Sequence, residues 1–273
     1  MKANDPNAAD RTSPVSANPL IELTDAAIAA PPPSDQVVVD GVTWRVNPGD
    51  YWVIGGLPGS GKTELLLTAA GLAKPVRGQH RLLGRDLMGL TESQMLSLRL
   101  QVGMVFAHGE RLFHQLTILQ NVALPICYHQ NCAWDEAMDR VEALLTHLEL
   151  LDVAHRRPGQ ISRARRQRAG LARALSLEPE VLLLDNPLAG LDPQQMAWWL
   201  EFLDRLAAGH EVRQHRPVTV VVTTDDFHPW HVRGRQFAFI RQGRWLPLGG
   251  RAELEACTDP LVRSLLAPVV TTE

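Results

Sequence analysis

Cysteine is rare in this chain of 273 residues, and its spacing matches no metal or disulfide pattern. Cys127, Cys132 and Cys257 are odd in number and include no CxxC pair, which argues against a disulfide framework and against a zinc site. We therefore expect the three thiols to behave as small buried hydrophobic side chains.

Long apolar runs and an excess of basic charge are also missing. No run approaches the roughly 18 residues of a membrane-spanning helix, and the polar residues 1–19 lack the apolar segment of a secretory signal. The formal net charge of −3 gives no argument for a nucleic-acid partner. These absences predict a cytoplasmic chain, and the 45% hydrophobic content is enough for a sizeable core.

Lysine is much rarer than arginine in this chain, because 24 of the 27 basic residues are arginine. The three lysines are Lys2, Lys62 and Lys74. A lysine within a motif is therefore stronger evidence for that motif than it would be in a lysine-rich chain.

Short apolar segments predict an α/β fold around a central, mostly parallel sheet. The segments that follow residue 100 have four or five apolar residues each, as strands covered on both faces do. The first segments predict an antiparallel edge that leads into a core strand. We expect strands at 21–23, 37–46, 51–55, 102–106, 181–184 and 218–222, and a hairpin over 234–248 that turns at Gln242 and Gly243.

Helices are predicted between these strands. The run that follows Thr63 has helical composition up to Lys74 and Pro75. One or two helices are expected over 251–267. A further helix over 134–151 presents one apolar stripe, formed by Trp134, Ala137, Met138, Val141, Leu144, Leu145 and Leu148.

A glycine-rich segment lies between a predicted strand and a predicted helix. It reads GLPGSGKT and matches the phosphate-loop pattern G-x-x-x-x-G-K-[ST], which favours a P-loop NTPase that binds ATP. Its lysine would contact the β- and γ-phosphates, and its threonine hydroxyl would bind Mg²⁺. The alternative is a glycine-rich turn with a chance lysine. The cofactor-binding candidates are Gly56, Leu57, Pro58, Gly59, Ser60, Gly61, Lys62 and Thr63.

Two acidic residues bear on this site. Asp185 ends the apolar segment VLLLD, where an acid can hold Mg²⁺ together with Thr63, although it could also be a helix cap. Glu64 places a carboxylate beside the expected phosphates, and like charge weakens nucleotide binding.

The order of these segments resembles the nucleotide-binding subunit of ABC transporters over about residues 20–250. The resemblance rests on GLPGSGKT, VGMVF at 102–106, QISRARRQRAGLARAL from Gln160, VLLLDNPLAGLD from Val181 and VVVTTDD from Val220. It implies a dimer of such subunits under a membrane permease, on the inner face of the cell membrane. The segments RAELEACTDPLVRSLL and LARALSLEPE are most similar to the ATP-binding subunit of phospholipid-trafficking systems that carry MCE proteins.

The chain divides into three parts. Residues 1–19 are rich in Asn, Asp, Ala, Ser and Pro without apolar periodicity, which predicts a disordered tail. The resemblance implies a nucleotide-binding domain over 20–250 with a helical subdomain at about 110–165, and a helical tail is expected over 251–273.

Three positions depart from the family's hydrolytic residues. Ala107 stands where the family has a glutamine that senses the metal and the attacking water. Asn186 replaces the glutamate that serves as general base, and Thr224 replaces the switch histidine. Because loss of a general base alone costs about 10² to 10⁴ in rate, we expect weak or absent hydrolysis and no catalytic residue. Compensation by His108 or Asp225 is the alternative.

The family signature LSGGQ is also altered, and only Ser162 of it is kept. Arg163 and Arg165 stand in the segment that grips the γ-phosphate bound to the opposite subunit. The basic run, with Arg166 and Arg168, admits three interpretations: a solvated helix face, an arginine that reaches the partner's phosphate, or attraction to an anionic membrane or protein.

The adenine-stacking aromatic of the family is not evident in the segment DAAIAA at 25–30, whereas the dimer-contact loop LAGLD at 188–192 is kept. The segment RLFHQLTILQNVALPI, after Ala107, is similar in composition to the segment that the family has beside its permease-docking groove. Ordinary helix packing is the alternative.

Three functions remain open. The first is a pseudo-ATPase subunit with a structural or regulatory role, in a homodimer or heterodimer, with lipid transport as its candidate pathway. The second is a working transport ATPase with compensated motifs. The third is a nucleotide-sensing scaffold without a permease. The resemblance implies that each ATP site joins the phosphate loop of one subunit to the signature of the other. In a homodimer, both sites would therefore contain replaced residues.

Overall fold

The computed structural model describes residues 18–31, 33–34, 36–107 and 112–267. Most of the expected tail over 1–19, and the last residues of the chain, lie outside these ranges. The described strands are β1 Ile21–Ala29, β2 Val37–Val46, β3 Tyr51–Gly56, β4 Arg77–Leu82, β5 Arg85–Asp86, β6 Val102–Val105, β7 Val181–Asp185, β8 Thr219–Thr224, β9 Gln236–Arg241 and β10 Arg244–Gly249. The described α-helices are α1 Lys62–Ala69, α2 Glu92–Arg99, α3 Ile118–Gln130, α4 Trp134–His147, α5 Arg163–Leu175, α6 Pro193–Ala208, α7 Arg251–Ala256 and α8 Pro260–Leu266.

These strands form one sheet in the order β5-β4-β1-β2-β10-β9-β3-β8-β7-β6. The strands β9, β3, β8, β7 and β6 run parallel to one another, and β1 pairs antiparallel with both β2 and β4. The predicted α/β class, with a mostly parallel centre and an antiparallel N-terminal edge, is confirmed.

The parallel centre is buried on both faces. Along β7, Leu182 and Leu184 belong to the core that contains α3–α6, whereas Val181 and Leu183 belong to the core that contains α1 and the first strands. Side chains alternate across a strand, so a short run of leucine and valine fills both layers at once. The carboxyl ends of β3, β7 and β8 therefore meet at one edge of the sheet.

Helix α1 ends earlier than the sequence predicts. It stops at Ala69, and Gly71 follows with φ of +69°. The Gly71 amide donates to the Thr68 carbonyl at 2.8 Å, and the Leu72 amide donates to Leu67 at 2.9 Å. These bonds close the helix end, so the expected continuation to Lys74 is wrong because glycine adopts the left-handed turn without steric cost.

Helices α3, α4 and α5 pack against one another, and α5 also packs on β6. The apolar stripe of α4 buries Ala137, Val141, Leu144 and Leu145. Trp134 was expected in that stripe but is 42% exposed, because it occupies the first position of the helix.

The late hairpin turns at Gln242 and Gly243, whose φ values of +49° and +70° are those of a two-residue turn. Helices α7 and α8 follow it, over part of the predicted helical tail. Among the described residues, no helix is both long and apolar enough to cross a membrane.

Candidate functional site

The loop between β3 and α1 depends on glycine. Gly59 and Gly61 have φ of +76° and +98°, in the left-handed region that favours glycine. A Cβ at Gly61 would lie 2.5 Å from Val39 Cγ2 on β2, and one at Gly56 would lie 2.4 Å from the Ser60 hydroxyl. Backbone angle and close packing thus both require glycine, and α1 begins directly after the loop with its N-terminus towards it.

Lys62 lies inside this loop. Its Nζ donates to the Gly56 carbonyl at 2.5 Å and to the Leu57 carbonyl at 2.9 Å, and the residue is only 8% exposed. Leu57 and Pro58 are exposed on the outer side of the loop. The only described lysine besides Lys62 is Lys74, which is exposed.

Three carboxylates act electrostatically on the Lys62 ammonium. Burial lowers the pKa of Lys62, and the negative charges of Asp225, Asp185 and Glu64 oppose that shift. Asp225, which follows β8, exerts the largest of these opposing effects. An anion that enters the loop therefore meets one buried cation and three carboxylates.

Thr63 and Asp185 are brought together as the sequence predicts. The Thr63 hydroxyl donates to Asp185 Oδ2 at 2.7 Å, and the Thr223 hydroxyl donates to Asp185 Oδ1 at 2.9 Å. Asp185 is 5% exposed. A hydroxyl and a carboxylate oxygen side by side are hard donors of the kind that Mg²⁺ prefers, so these residues fit that ion. The role of Thr223 was missed, because it depends on the parallel pairing of β7 with β8.

The three positions at which the sequence predicts replaced hydrolytic residues lie at the same edge of the sheet. Asn186 directly follows Asp185 with φ of +43°, and its amide donates to the Thr223 carbonyl at 3.0 Å. Thr224 is 2% exposed, and its hydroxyl bonds with the backbone of Asp226. Ala107 follows β6 and is half-buried, whereas His108 lies outside the described residues.

Ser162 and Arg163 lie at the start of α5. Ser162 is the N-cap and accepts a hydrogen bond from the Arg165 amide at 3.4 Å. The Arg163 guanidinium donates to the Ala189 carbonyl at 3.0 Å, and a Cβ on Gly190 would lie 2.8 Å from its Nη1. The start of α5 is therefore attached to the loop at 188–192 of the same chain.

Two further arginines of α5, Arg165 and Arg168, bind acidic side chains of their own chain. Arg165 bonds with Asp152 at 2.5 Å. Arg168 bonds with Glu149 at 2.5 Å and lies 3.8 Å from the ring centroid of Trp198. The interpretation of this run as a solvated helix face is wrong for Arg168, whose side chain is 8% exposed.

The model of the ABC transporter family matches residues 39–189, which is more than half of the chain. The chain belongs to the ABC transporter family. The matched region contains the phosphate loop, Thr63, Asp185 and the segment 161–165, and it is the ATP-binding domain of that family.

Curated relatives agree with this assignment. Methionine import ATP-binding protein MetN 1 of Bacillus licheniformis is 32% identical over 77% of this chain and 61% of its own length. Methionine import ATP-binding protein MetN of Carboxydothermus hydrogenoformans is 31% identical over 76% and 59%. The chain thus spans about three fifths of the length of these relatives. Their names concern methionine import, so the finer resemblance to phospholipid-trafficking subunits is not supported.

A solved structure shares the fold. The dimeric, post-hydrolysis ATP-binding cassette MJ0796, bound to ADP and Pi, has a TM-score of 0.72 and 26% identity, with 82% of this chain and 96% of that chain covered.

An apolar groove lies beside the ABC cassette's helices α3 and α5. It has a volume of about 430 Å³. Phe113 is 54% exposed and Tyr128 is 75% exposed in this groove. Its lining residues are Phe106, Phe113, Leu124, Pro125, Tyr128, His129 and Arg173.

Proposed function

We propose that this chain is the ATP-binding subunit of an ABC importer and that it binds ATP with Mg²⁺ while hydrolysing it slowly or not at all. The single observation that carries the proposal is the contact of Thr63 with Asp185 beside the buried Lys62. These three groups supply a cation for phosphate and two oxygen donors for the metal. ATP binding would therefore be retained, whereas hydrolysis would be slow because the residues that the family uses for it are replaced.

Each part of the phosphate loop would contribute a distinct interaction. Lys62 would turn from the carbonyls of Gly56 and Leu57 towards the β- and γ-phosphates, and the N-terminus of α1 would add its positive end. Thr63 and Asp185 would hold Mg²⁺, which neutralises phosphate charge when bound. The carboxylates of Glu64 and Asp225 would repel the phosphates, so we expect moderate rather than tight affinity for ATP.

Slow hydrolysis follows from the side chains at the carboxyl edge of the sheet. The Asn186 amide cannot accept a proton from water at neutral pH. Thr224 uses its hydroxyl on the backbone of Asp226, so it does not replace a histidine at the phosphate. Among the described carboxylates, Asp225 has the largest electrostatic effect on Lys62, so it is the first residue to test for compensated hydrolysis.

The cargo class follows from the relatives. Methionine import proteins are similar to this chain, and so is the probable amino-acid ABC transporter ATP-binding protein y4tH of Sinorhizobium fredii, at 35% identity over 64% of this chain and 71% of its own length. We therefore infer an amino-acid importer. Its location would be the inner face of the membrane, with a permease and a second ATP-binding subunit, identical or different, as partners.

The apolar groove is the proposed permease contact. Exposed Phe113 and Tyr128 lie beside the half-buried Leu124 and Pro125, and this combination suits the apolar face of a short amphipathic helix. Co-purification of the full chain with its membranes tests this contact. Tyr128→Ser should reduce recovery of the permease, and the exposed Met88→Ser, outside the groove, should not.

Nucleotide binding is tested with matched lysine variants. Equilibrium binding of a fluorescent ATP analogue should be lost in Lys62→Ala and kept in Lys74→Ala, because Lys74 is exposed and outside the loop. Phosphate release should be equally slow in the native chain and in Lys62→Ala. Turnover that disappears in both Lys62→Ala and Asp225→Asn would instead establish a compensated ATPase, and ATP binding without any recovered permease would favour a sensing scaffold.

A further inference from the structure

Helix α8 is attached to the sheet at its start. The Asp259 side chain accepts hydrogen bonds from the Leu261 amide at 2.9 Å and from the Val262 amide at 3.4 Å. The same carboxylate forms an ion pair with Arg241, the last residue of β9. Val262 is buried in the hydrophobic core that lies against the sheet. The start of α8 therefore has a fixed position on the domain.

The link from α7 to α8 is also packed on this core. Leu254 of α7 is buried, and its carbonyl accepts a hydrogen bond from the Cys257 amide at 3.2 Å. Cys257 itself is half-buried, as are Cys127 and Cys132, so the expectation of buried thiols is wrong. The two terminal helices are thus part of the packed domain.

The end of α8 contacts the loop that follows β8. The Leu265 carbonyl accepts hydrogen bonds from the Phe227 amide at 2.8 Å and from the His228 amide at 3.1 Å. The Leu266 carbonyl oxygen lies 3.3 Å from Nδ1 of His228. Phe227 comes three residues after Thr224, with which β8 ends at the edge of the nucleotide site. Carbonyls that the helix end leaves without helical partners therefore hold this loop.

The Phe227 side chain connects the loop to β3. Phe227 is buried, and a Cβ at Gly55 would lie 2.2 Å from its Cζ and 2.5 Å from its Cε2. The ring therefore lies directly against the backbone of Gly55. The next residue, Gly56, begins the phosphate loop, and its carbonyl accepts the hydrogen bond from Lys62 Nζ at 2.5 Å. One residue thus separates the ring contact from the backbone group that holds the lysine.

The Phe227 ring has little space in which to move. Its centroid lies 6.1 Å from that of Phe237 and 6.3 Å from that of Phe239, and both partners belong to β9, which pairs with β3. The Phe227 carbonyl accepts a hydrogen bond from the Trp230 amide at 2.9 Å. Because protein interiors are closely packed, a displaced loop would also displace Gly55 or open a cavity.

We propose that Phe227 is a positioning residue for the phosphate loop and that α8 controls ATP affinity by holding Phe227 in place. This inference rests on the proposed function in ATP binding. The contacts run from the Leu265 carbonyl to the Phe227 amide, from the Phe227 ring to Gly55, and from the Gly56 carbonyl to Lys62. Displacement of α8 would weaken ATP binding without any contact with the nucleotide. Because coupling between two sites is reciprocal, bound ATP would hold the end of α8 more firmly.

The first test is Leu266→Pro in the full chain. Proline biases the preceding residue out of the helical conformation, so the Leu265 carbonyl should turn away from the Phe227 amide. Equilibrium binding of a fluorescent ATP analogue should weaken about fivefold or more. Arg263→Ala is the control, because Arg263 is exposed on the same helix, and it should bind ATP like the native chain.

The second test examines the ring contact. Gly55→Ala should weaken ATP binding, because its methyl group would collide with the Phe227 ring. Adding Phe227→Leu, which has a smaller side chain, should restore most of the affinity. Leu266→Pro should also cost less affinity in a Phe227→Leu chain than in the native chain, because the ring that transmits the displacement is absent.

Hydrogen exchange gives the reciprocal measurement. ATP should slow exchange of the Phe227 and His228 amides in the native chain and should have no such effect in Lys62→Ala. A change in packing stability alone would not make this protection depend on the phosphate lysine.

Native ATP affinity in Leu266→Pro, together with fast exchange of the Phe227 and His228 amides, would overturn the proposal. Circular dichroism identifies misfolding of that variant, and the Gly55 and Phe227 variants then decide: failure of Phe227→Leu to rescue Gly55→Ala overturns it. Absence of ATP binding by the native chain would contradict the proposed function as well, so the two failures are distinguishable.

Discussion

The Thr63 hydroxyl donates a 2.7 Å hydrogen bond to Asp185, although 122 residues separate the two along the chain. Thr63 is the second residue of α1, directly after the phosphate lysine, and Asp185 ends a buried strand of the sheet centre. Their contact joins the loop to the sheet edge at the point where a metal-bound phosphate would lie. Several consequences of this arrangement can be measured.

Asp185→Asn should abolish the effect of Mg²⁺ on ATP affinity. The substitution removes the negative charge while it keeps the size of the side chain. It also weakens the hydrogen bonds from Thr63 and Thr223, and bonds to charged groups contribute about 1.5–3 kcal/mol each. Fluorescent ATP titrations with and without EDTA measure this effect. The exposed Asp135→Asn is the matched control and should retain the native response.

Asn186→Glu should lower stability and recover little hydrolysis. Asn186 has φ of +43°, a conformation that asparagine tolerates better than glutamate, so we expect a loss of about 1 kcal/mol. Asn186→Gly should be neutral, because glycine accepts this backbone angle. Urea unfolding measures the first effect, and phosphate release measures the second. A large gain in turnover would mean that the missing general base alone accounts for the slow hydrolysis.

Arg163→Ala should loosen the loop over 188–192. The guanidinium donates to Ala189 and covers Gly190, and a net hydrogen bond contributes about 1 kcal/mol. Hydrogen exchange of the Ala189 and Leu191 amides should become faster. Arg165→Ala is the control, because Arg165 pairs with Asp152 instead. Equal protection in both variants would contradict this role of Arg163.

His80 should make the chain less stable in mild acid. Burial lowers the pKa of His80 to about 4, from an ordinary value of about 6.5. The unfolded chain then binds a proton that the folded chain refuses, so stability is full above about pH 6.5 and falls as the pH drops towards 4. The loss between these limits is on the order of 3 kcal/mol. Urea midpoints at pH 7.5 and 5.0 should differ less in His80→Gln than in the native chain.

The phosphate loop could be predicted from sequence because its chemistry is local. A lysine framed by glycines between a strand and a helix requires a particular backbone, and Gly59 and Gly61 adopt it. Asp185 could be placed because a short apolar strand ends at a known edge of a parallel sheet. The same reasoning failed for the end of α1, where the left-handed Gly71 outweighed the helical composition of the following residues.

Other site residues could not be predicted, because they depend on pairing between distant segments. Thr223 reaches Asp185 through the alignment of β7 with β8, and Val39 covers Gly61 from another strand. The hydrogen bond from Arg163 to Ala189 cannot be predicted from the residues next to either one. A basic run on a helix is also typical of a face exposed to solvent.

The sequence by itself determined the α/β class, the phosphate loop and its lysine, since hydrophobic period and residue chemistry act over a few neighbouring positions. Tertiary structure alone decided which carboxylates act on Lys62, which hydroxyls hold Asp185 and where the arginines of α5 bind. These relations are set by strand order and helix packing, which bring together groups separated by more than a hundred residues.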